Sequence, residues 1–396
     1  MKKISPRFSK WLLHRWKSSQ RRKRTGPDNT RLLRRKKTVV YLWDGGEPTK
    51  AISIREPMAP PAHLCLESNF SETIAFIAKW RNSLSAGHKK SSALSKRHPW
   101  IVPPKKVGGM PRILGFTDFA KIEQLSTAVA MIVTAEYDRL AILADEVPPA
   151  VNIHEWSDAA FQKLFELGFF ETVGLTKEVS SLQKNNGELR SMKIVSGSNA
   201  TELEAATREI AKLSDFLAPS NGFSEEVSLA LNSSLGEAMA NVAAHAYPEG
   251  HEYIRKPVGK WWVTATADRS KGKLTVVIYD QGASIPVTYP QKDIPQAILD
   301  FITLRRVRTP RFDFENDGVY IEGAMKPGKT QTNQKDRGLG LPEMKELIDI
   351  CGSGSLTIYS RGGVYRYDSQ SEVKSFSHPH SVGGTLIEWV LDLDRQ

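Results

Sequence analysis

The sequence predicts an α/β protein whose C-terminal half is an α+β sandwich, a mixed, mainly antiparallel sheet with helices on one face. Three observations carry this expectation. A helix-period stretch over residues 223–246 places Val227, Leu231, Leu235, Met239 and Val242 on one stripe. Strand-like segments follow at 261–267, 273–280, 355–359, 364–367 and 386–393. Arg269-Ser270-Lys271-Gly272 and Arg361-Gly362-Gly363 have the composition of hairpin turns between neighbouring strands. Ahead of this half the sequence predicts a smaller helix-rich α/β domain and a basic tail. The expected division is an arm at 1–60, a regulatory or docking domain at 61–185, and a larger domain at 190–396.

The tail accounts for the charge of the whole chain. Residues 1–37 contain 15 lysines and arginines and one acid, Asp28, whereas the remainder carries 40 basic and 43 acidic side chains. Arg21-Arg22-Lys23-Arg24 and Arg34-Arg35-Lys36-Lys37 suit a solvated, disordered arm, contact with nucleic acid, or contact with an anionic membrane surface. Phe8, Trp11, Leu12 and Trp16 would form an apolar side if residues 4–17 became helical. The apolar run Trp11-Leu12-Leu13 is too short for a secretory signal, and no run of roughly 18 apolar residues marks a membrane span. Cys65 and Cys351 are far apart and have no metal-ligand companions, so they read as small hydrophobes in a reducing compartment. Cytoplasmic residence is the expectation.

In the 61–185 region, residues 71–84 suit a helix, and 85–112, rich in Gly, Pro, Ser and Lys, suit a linker or surface loop. Ile122, Leu125, Val129, Ile132 and Val133 recur at helical spacing over a long amphipathic segment. Ser157 is a good N-cap for a helix through Phe161, Leu164 and Phe165 that stops at Gly168, with Phe169-Phe170 docking inward. No catalytic constellation is visible there, which suits sensing, docking or a structural role.

The chemistry lies in the C-terminal half. Glu237, Asn241 and His245 are spaced i, i+4, i+8 on a helix, well away from the apolar stripe. A carboxylate and an amide oxygen one turn apart suit a hard cation and its phosphates, although a solvated face fits this stretch equally well. Residues 273–280 alternate Leu274, Val276 and Ile278 on one side of a half-buried strand, and Asp280 ends on that side. A carboxylate there requires hydrogen-bond partners or a pocket. Gln281-Gly282 allows a turn, and an ordinary Asp-x-Gly turn would need no more. Arg337-Gly338-Leu339-Gly340-Leu341-Pro342 leads into a helical pattern through Leu341, Met344, Ile348 and Cys351. Free N–H groups at such a start attract anions, although glycines before a helix also make ordinary loops. Gly383-Gly384-Thr385 opens the last strand, where Thr385 is either a ligand contact or a β-branched strand residue.

In this order the motifs resemble the GHKL ATP-binding superfamily, which includes gyrase, histidine kinases and the anti-sigma-factor serine kinases. The run Glu237-Ala-x-x-Asn241-x-x-x-His245-Ala246-Tyr247 is most similar to the anti-sigma kinase branch. The resemblance covers about residues 200–396. It implies ATP and Mg²⁺ as cofactors, with Asn241 holding the metal and Glu237 as general base. Asp280 would accept from the adenine amino group, supported by Thr385, and Gly282 would let the base pack closely. Arg337, Gly338, Leu339 and Gly340 would cradle the phosphates. His245 would lie beside the nucleotide without a settled role.

Two departures stand out. Ser284 replaces the second glycine of the family's Asp-x-Gly-x-Gly pattern, and the 286–337 interval is long, with Arg305, Arg306, Arg308 and Arg311, and Lys329 and Lys335 near its end, as an enlarged lid would be. The only sequence resembling a phosphoacceptor histidine motif, His251-Glu252-Tyr253-Ile254-Arg255-Lys256-Pro257, lies after the Asn241 helix and has one residue too many, which argues against histidine autophosphorylation.

A faint resemblance of 61–185 to STAS-like regulatory domains fits the same branch. The expected function is Mg·ATP binding with slow hydrolysis or transfer to a partner serine or threonine. Two alternatives stand beside it, a nucleotide-gated binding module without useful catalysis and a nucleic-acid binder acting through the arm. Expected partners besides ATP are a regulatory or phosphoacceptor protein, nucleic acid or an anionic membrane at residues 1–37, and a second copy of the chain as a homodimer.

Overall fold

The structure is a computed structural model that describes residues 38–53, 58–92, 101–107, 110–113, 116–144, 147–183, 187–218, 222–289, 296–306, 313–326, 340–370 and 372–392. The expectations for the basic runs of 1–37, and for Arg308, Arg311, Lys329, Lys335, Arg337, Gly338 and Leu339, lie outside the described residues.

The N-terminal half begins with a hairpin of β1 (Thr38–Asp44) and β2 (Glu47–Ser53), so this part of the expected arm is folded. Then come β3 (His63–Leu64), α1 (Phe70–Ser92), β4 (Ile101–Val107), β5 (Met110–Ile113), β6 (Thr117–Asp118), β7 (Gln124–Leu125), α2 (Thr127–Ala144), β8 (Ala150–Val151) and α3 (Asp158–Glu166). Six of the strands form a mixed sheet in the order β4-β5-β2-β1-β8-β6. The expected 85–112 linker is therefore corrected: it contains the end of α1 and the strands β4 and β5. Two of its prolines, Pro103 and Pro104, sit in the edge strand β4, where a missing N–H interrupts no interior ladder. Ser157 caps α3 by accepting from the Ala160 N–H, Gly168 ends that segment at φ 89°, and Phe169 and Phe170 are buried, all as expected.

The C-terminal half carries β9 (Leu189–Ser191), β10 (Val195–Gly197), α4 (Leu203–Leu217), α5 (Glu225–Asn241), β11 (Trp261–Asp268), β12 (Lys273–Asp280), α6 (Ile285–Thr288), α7 (Gln296–Arg306), α8 (Asp317–Ala324), α9 (Gly340–Glu343), α10 (Glu346–Cys351), β13 (Gly354–Ser360), β14 (Gly363–Asp368), β15 (Val373–Ser377) and β16 (Thr385–Asp392). Its sheet runs β10-β11-β12-β16-β13-β14-β15, with β9 also on β11, and each of its pairings is antiparallel. The α5 start follows from local chemistry. Ser224 accepts from the Val227 N–H, and Glu225 and Glu226 oppose the positive end of the helix dipole.

Side-chain alternation divides this sheet between two cores. Trp261, Val263, Val276, Ile278, Ile387 and Trp389 pack with α4, α5 and α10. Trp262, Val277, Tyr279, Tyr359 and Leu386 point the other way, into a core shared with α1, α2 and α3. Strand β12 is thus buried on both faces and not half-buried. Each face needs its own cover, and the N-terminal half supplies the second one. The same fact explains α2, which is buried without a break from Thr127 to Tyr137 and is not amphipathic. Polar contacts fix the two halves together: the Trp262 indole donates to Asp138 at 2.9 Å and the Arg81 guanidinium to the Tyr279 hydroxyl at 2.6 Å.

Candidate nucleotide site

The site forms where the side of the sheet that faces α4, α5 and α10 runs out beneath the end of α5. Asp280 is the last residue of β12 and follows Ile278 on that side; Thr385 is the first residue of β16 and pairs with it in register. The α5 helix changes pitch there, because Val242–Ala246 take a π-helical turn, a rare element that recurs at functional sites. His245 therefore lies on this turn and not one further α-helical step along the face of Glu237 and Asn241.

One cavity gathers residues from four separate stretches of chain. Asn241, His245, Asp280, Leu341 and Thr385 line it, and Ala238, Val242, Ile278, Ile285 and Ile387 supply apolar walls. It encloses about 600 Å³ of space open toward solvent. An apolar slot ending on a buried carboxylate suits a flat heterocycle with a polar edge. Gly340, where the described chain resumes, sits so close to the Glu237 carboxylate that a methyl group on it would overlap Oε2. Gly340 thus reaches the α5 face bearing Glu237 and Asn241.

Hydrogen bonds orient these groups. The Asn241 amide nitrogen donates to the Glu237 carbonyl at 2.8 Å, which leaves its oxygen for a ligand. Asp280 accepts from the backbone N–H groups of Gly282, at 2.7 Å, and Thr385. Burial nevertheless pushes its carboxyl up to about 7, the two N–H donors opposing the shift. Such a carboxylate, short of solvation, gains from a ligand N–H donor. The Thr385 hydroxyl is held by Ser360 at 2.8 Å, and Ser360 in turn accepts from the Ile285 N–H. Thr385 therefore fixes the pocket wall through both its backbone and its side chain.

Gly282 has a different neighbourhood from the one expected. A side chain there would overlap the Ala246 carbonyl, and Gly282 lines a second cavity on the far side of the turn. Its missing side chain lets the turn pack on the end of the π-helical segment, where the Ala283 N–H donates to that carbonyl at 2.7 Å.

Ser284 keeps the backbone that glycine would adopt, with φ 81° and ψ 150°, in a region nearly exclusive to glycine. Its hydroxyl donates to the Gly384 carbonyl at 3.0 Å. Two variants isolate the strain, because both lose this bond. Ser284→Gly should be more stable than Ser284→Ala by about 1 kcal/mol, the strain relieved less the added chain entropy of glycine. Urea denaturation measures the difference, and an alanine variant of equal or greater stability contradicts a strained turn.

Ile387, two residues from Thr385 on the same strand face, lines the cavity without belonging to any motif. Ser360, which holds the Thr385 hydroxyl, becomes visible only when the strands pair. Among the described residues no group of three His, Cys, Asp or Glu side chains is placed to hold a metal. A cation at Asn241 would accordingly need phosphate and water oxygens to complete its shell.

The fold and the cavity agree with the comparison to known families. Residues 200–361 match the family model described as the histidine kinase-like ATPase domain, the GHKL type, which supports ATP binding and an ATPase-like regulatory function. The matched stretch holds α5, β12, Gly340 and β13, while Thr385 lies beyond it. No curated protein matches the chain. Among the described residues, no helix is long and apolar enough to cross a membrane.

Proposed function

We propose that the protein is a Mg·ATP-dependent regulatory switch that slowly hydrolyses ATP or transfers its phosphoryl group to a serine or threonine of a partner, in the manner of anti-sigma-factor kinases. The observation supporting it is the meeting of Asn241, Asp280, Leu341 and Thr385 in one cavity with Gly340 against Glu237. Asp280 accepts from the adenine amino group, and the apolar walls exclude water from the base. The Asn241 amide oxygen would hold Mg²⁺, whose charge would offset that of the phosphates. Gly340, with Arg337, Gly338 and Leu339 before it, offers backbone N–H groups to the phosphates. Glu237, one turn before Asn241, takes the proton of the attacking water or hydroxyl. His245 lines the cavity beside the nucleotide.

In this reading the N-terminal half is a regulatory or docking domain, comparable to STAS-like domains. Its proximity supports such a role, since Arg81 of α1 donates to the Val382 carbonyl next to the Gly383-Gly384 turn.

Phosphate release and transfer assays test the chemistry. Glu237→Gln should bind ATP like the parent and lose about a hundredfold or more in turnover, the usual contribution of a positioned base. Equal turnover in the two removes Glu237 from that role. A parent that binds ATP yet neither releases nor transfers phosphate identifies a nucleotide-gated binding module instead.

A further inference from the structure

Behind the nucleotide cavity, across the 281–284 turn, lies a second cavity with about 900 Å³ of space open toward solvent. Both halves of the protein build it. Arg81 and Glu136 come from α1 and α2, joined by Arg139 of α2; Arg255 comes from the loop after α5; Gln281 and Ser284 come from the turn itself.

The charges in its walls do not balance locally. Arg139 Nη2 lies 2.6 Å from Glu136 Oε1 and Arg81 Nε 3.5 Å from Glu136 Oε2, so two buried guanidiniums share one carboxylate. Arg361, also in the wall, is paired with Asp317. Arg255 is half-buried, and its guanidinium donates to the neutral Asn82 Oδ1 at 2.7 Å. No carboxylate among the described residues lies within ion-pair distance of it. Burial lowers its pKa, and the facing Arg81 and Arg139 charges act in the same direction against Glu136. An anion beside Arg255 relieves this repulsion.

A second feature points to a ligand. The Gln281 side chain is 8 % exposed and its Oε1 has no hydrogen-bond partner, a costly state for a buried acceptor. Its Nε2 faces Glu136 at 3.4 Å, so Oε1 is the end left over. The exposed carboxylate of Glu252 also belongs to the wall. The cavity thus offers a guanidinium fork to an anion and two acceptors to hydrogen-bond donors.

We propose that this cavity is a second ligand site, distinct from the nucleotide pocket, for a small carboxylate or phosphate that also bears hydroxyl or ammonium donors. Arg255 holds the anionic group and Gln281 accepts from the donor. Ser284 lines both cavities, so the two ligands share a wall. The His251 to Pro257 loop, which resembles a phosphoacceptor motif in sequence, has a ligand-binding place in this arrangement.

Calorimetric titration of the full chain with L-glutamate and with glycerol 3-phosphate tests the proposal, each in the parent, Arg255→Gln and Asn241→Ala proteins. Arg255 lies on a loop outside both cores, so its replacement spares the fold. Saturable binding of either probe that weakens at least tenfold in Arg255→Gln, about 1.4 kcal/mol, and persists in Asn241→Ala supports the site. The probe that binds distinguishes carboxylate from phosphate recognition. Absence of saturable binding by both probes, or binding that survives Arg255→Gln, overturns it; so does binding lost in Asn241→Ala alone, which would place the anion in the nucleotide pocket.

Discussion

Asn241→Ala should abolish Mg²⁺-dependent ATP binding while leaving the fold intact. The asparagine lies at the end of α5, half-buried, and its one described hydrogen bond is to the Glu237 carbonyl of its own helix. Truncation therefore leaves no buried charge and opens no core cavity. What it removes is the amide oxygen assigned to the metal, in a site where no other described acid cluster can replace it. The expected loss in the presence of Mg²⁺ is a hundredfold or more in affinity, roughly 2.8 kcal/mol. Without Mg²⁺ the variant and parent should bind ATP about equally, because the proposed adenine contact is Asp280 and not Asn241. Isothermal titration with and without the metal checks both parts. A variant whose Mg²⁺ dependence equals the parent's would show that the cation is held elsewhere.

Gly384→Ala should have the largest effect on stability. This glycine has φ 137°, a backbone that side chains rarely adopt, and a methyl group on it would overlap the Asp280 carbonyl. The turn is constrained from the other side as well. Its carbonyl accepts from the Ser284 hydroxyl and from the Arg361 N–H, and a side chain on the neighbouring Gly383 would overlap the Arg81 guanidinium. Relaxation by one atom must displace another. Overpacking together with an incompatible φ predicts a loss of at least about 3 kcal/mol, a large part of a typical domain's stability. Chemical denaturation checks this, and a variant within about 0.5 kcal/mol of the parent, the range of an indifferent surface change, contradicts the packing described.

The parts of the site legible in the sequence are those anchored to strand ends. Asp280 and Thr385 terminate strands whose periodicity is plain, and antiparallel pairing then puts them side by side. Asn241 was legible because helical spacing separated it from the buried stripe of α5. His245 was only partly so, since nothing in Val242-Ala243-Ala244-His245-Ala246 announces a π-helical turn. Ser284 was legible as a departure but not in its consequence, as the turn keeps the glycine conformation and absorbs the strain.

What the sequence concealed is long-range. Trp261-Trp262 and Val276-Val277 put large apolar groups on both faces of β11 and β12, a sign that each face is covered, but not by what. The cover is α2, more than a hundred residues upstream, and its unbroken hydrophobicity has the same cause. The 85–112 region misled for a local reason. Glycine and proline mark loops by composition, and here the edge strand β4 tolerates Pro103 and Pro104 because one side of its ladder is unpaired.

In the proposed binding mode the chain holds an adenine nucleotide through Asp280 at one end and a metal-bound phosphate group at Asn241 at the other. Calorimetric titration of the full chain with ATP, run with and without Mg²⁺ on the parent and Asp280→Asn proteins, tests it most directly. Saturable binding by the parent that strengthens with Mg²⁺ and falls at least tenfold in Asp280→Asn is the predicted result. No saturable binding by the parent, or binding indifferent to both the metal and the carboxylate, would contradict it.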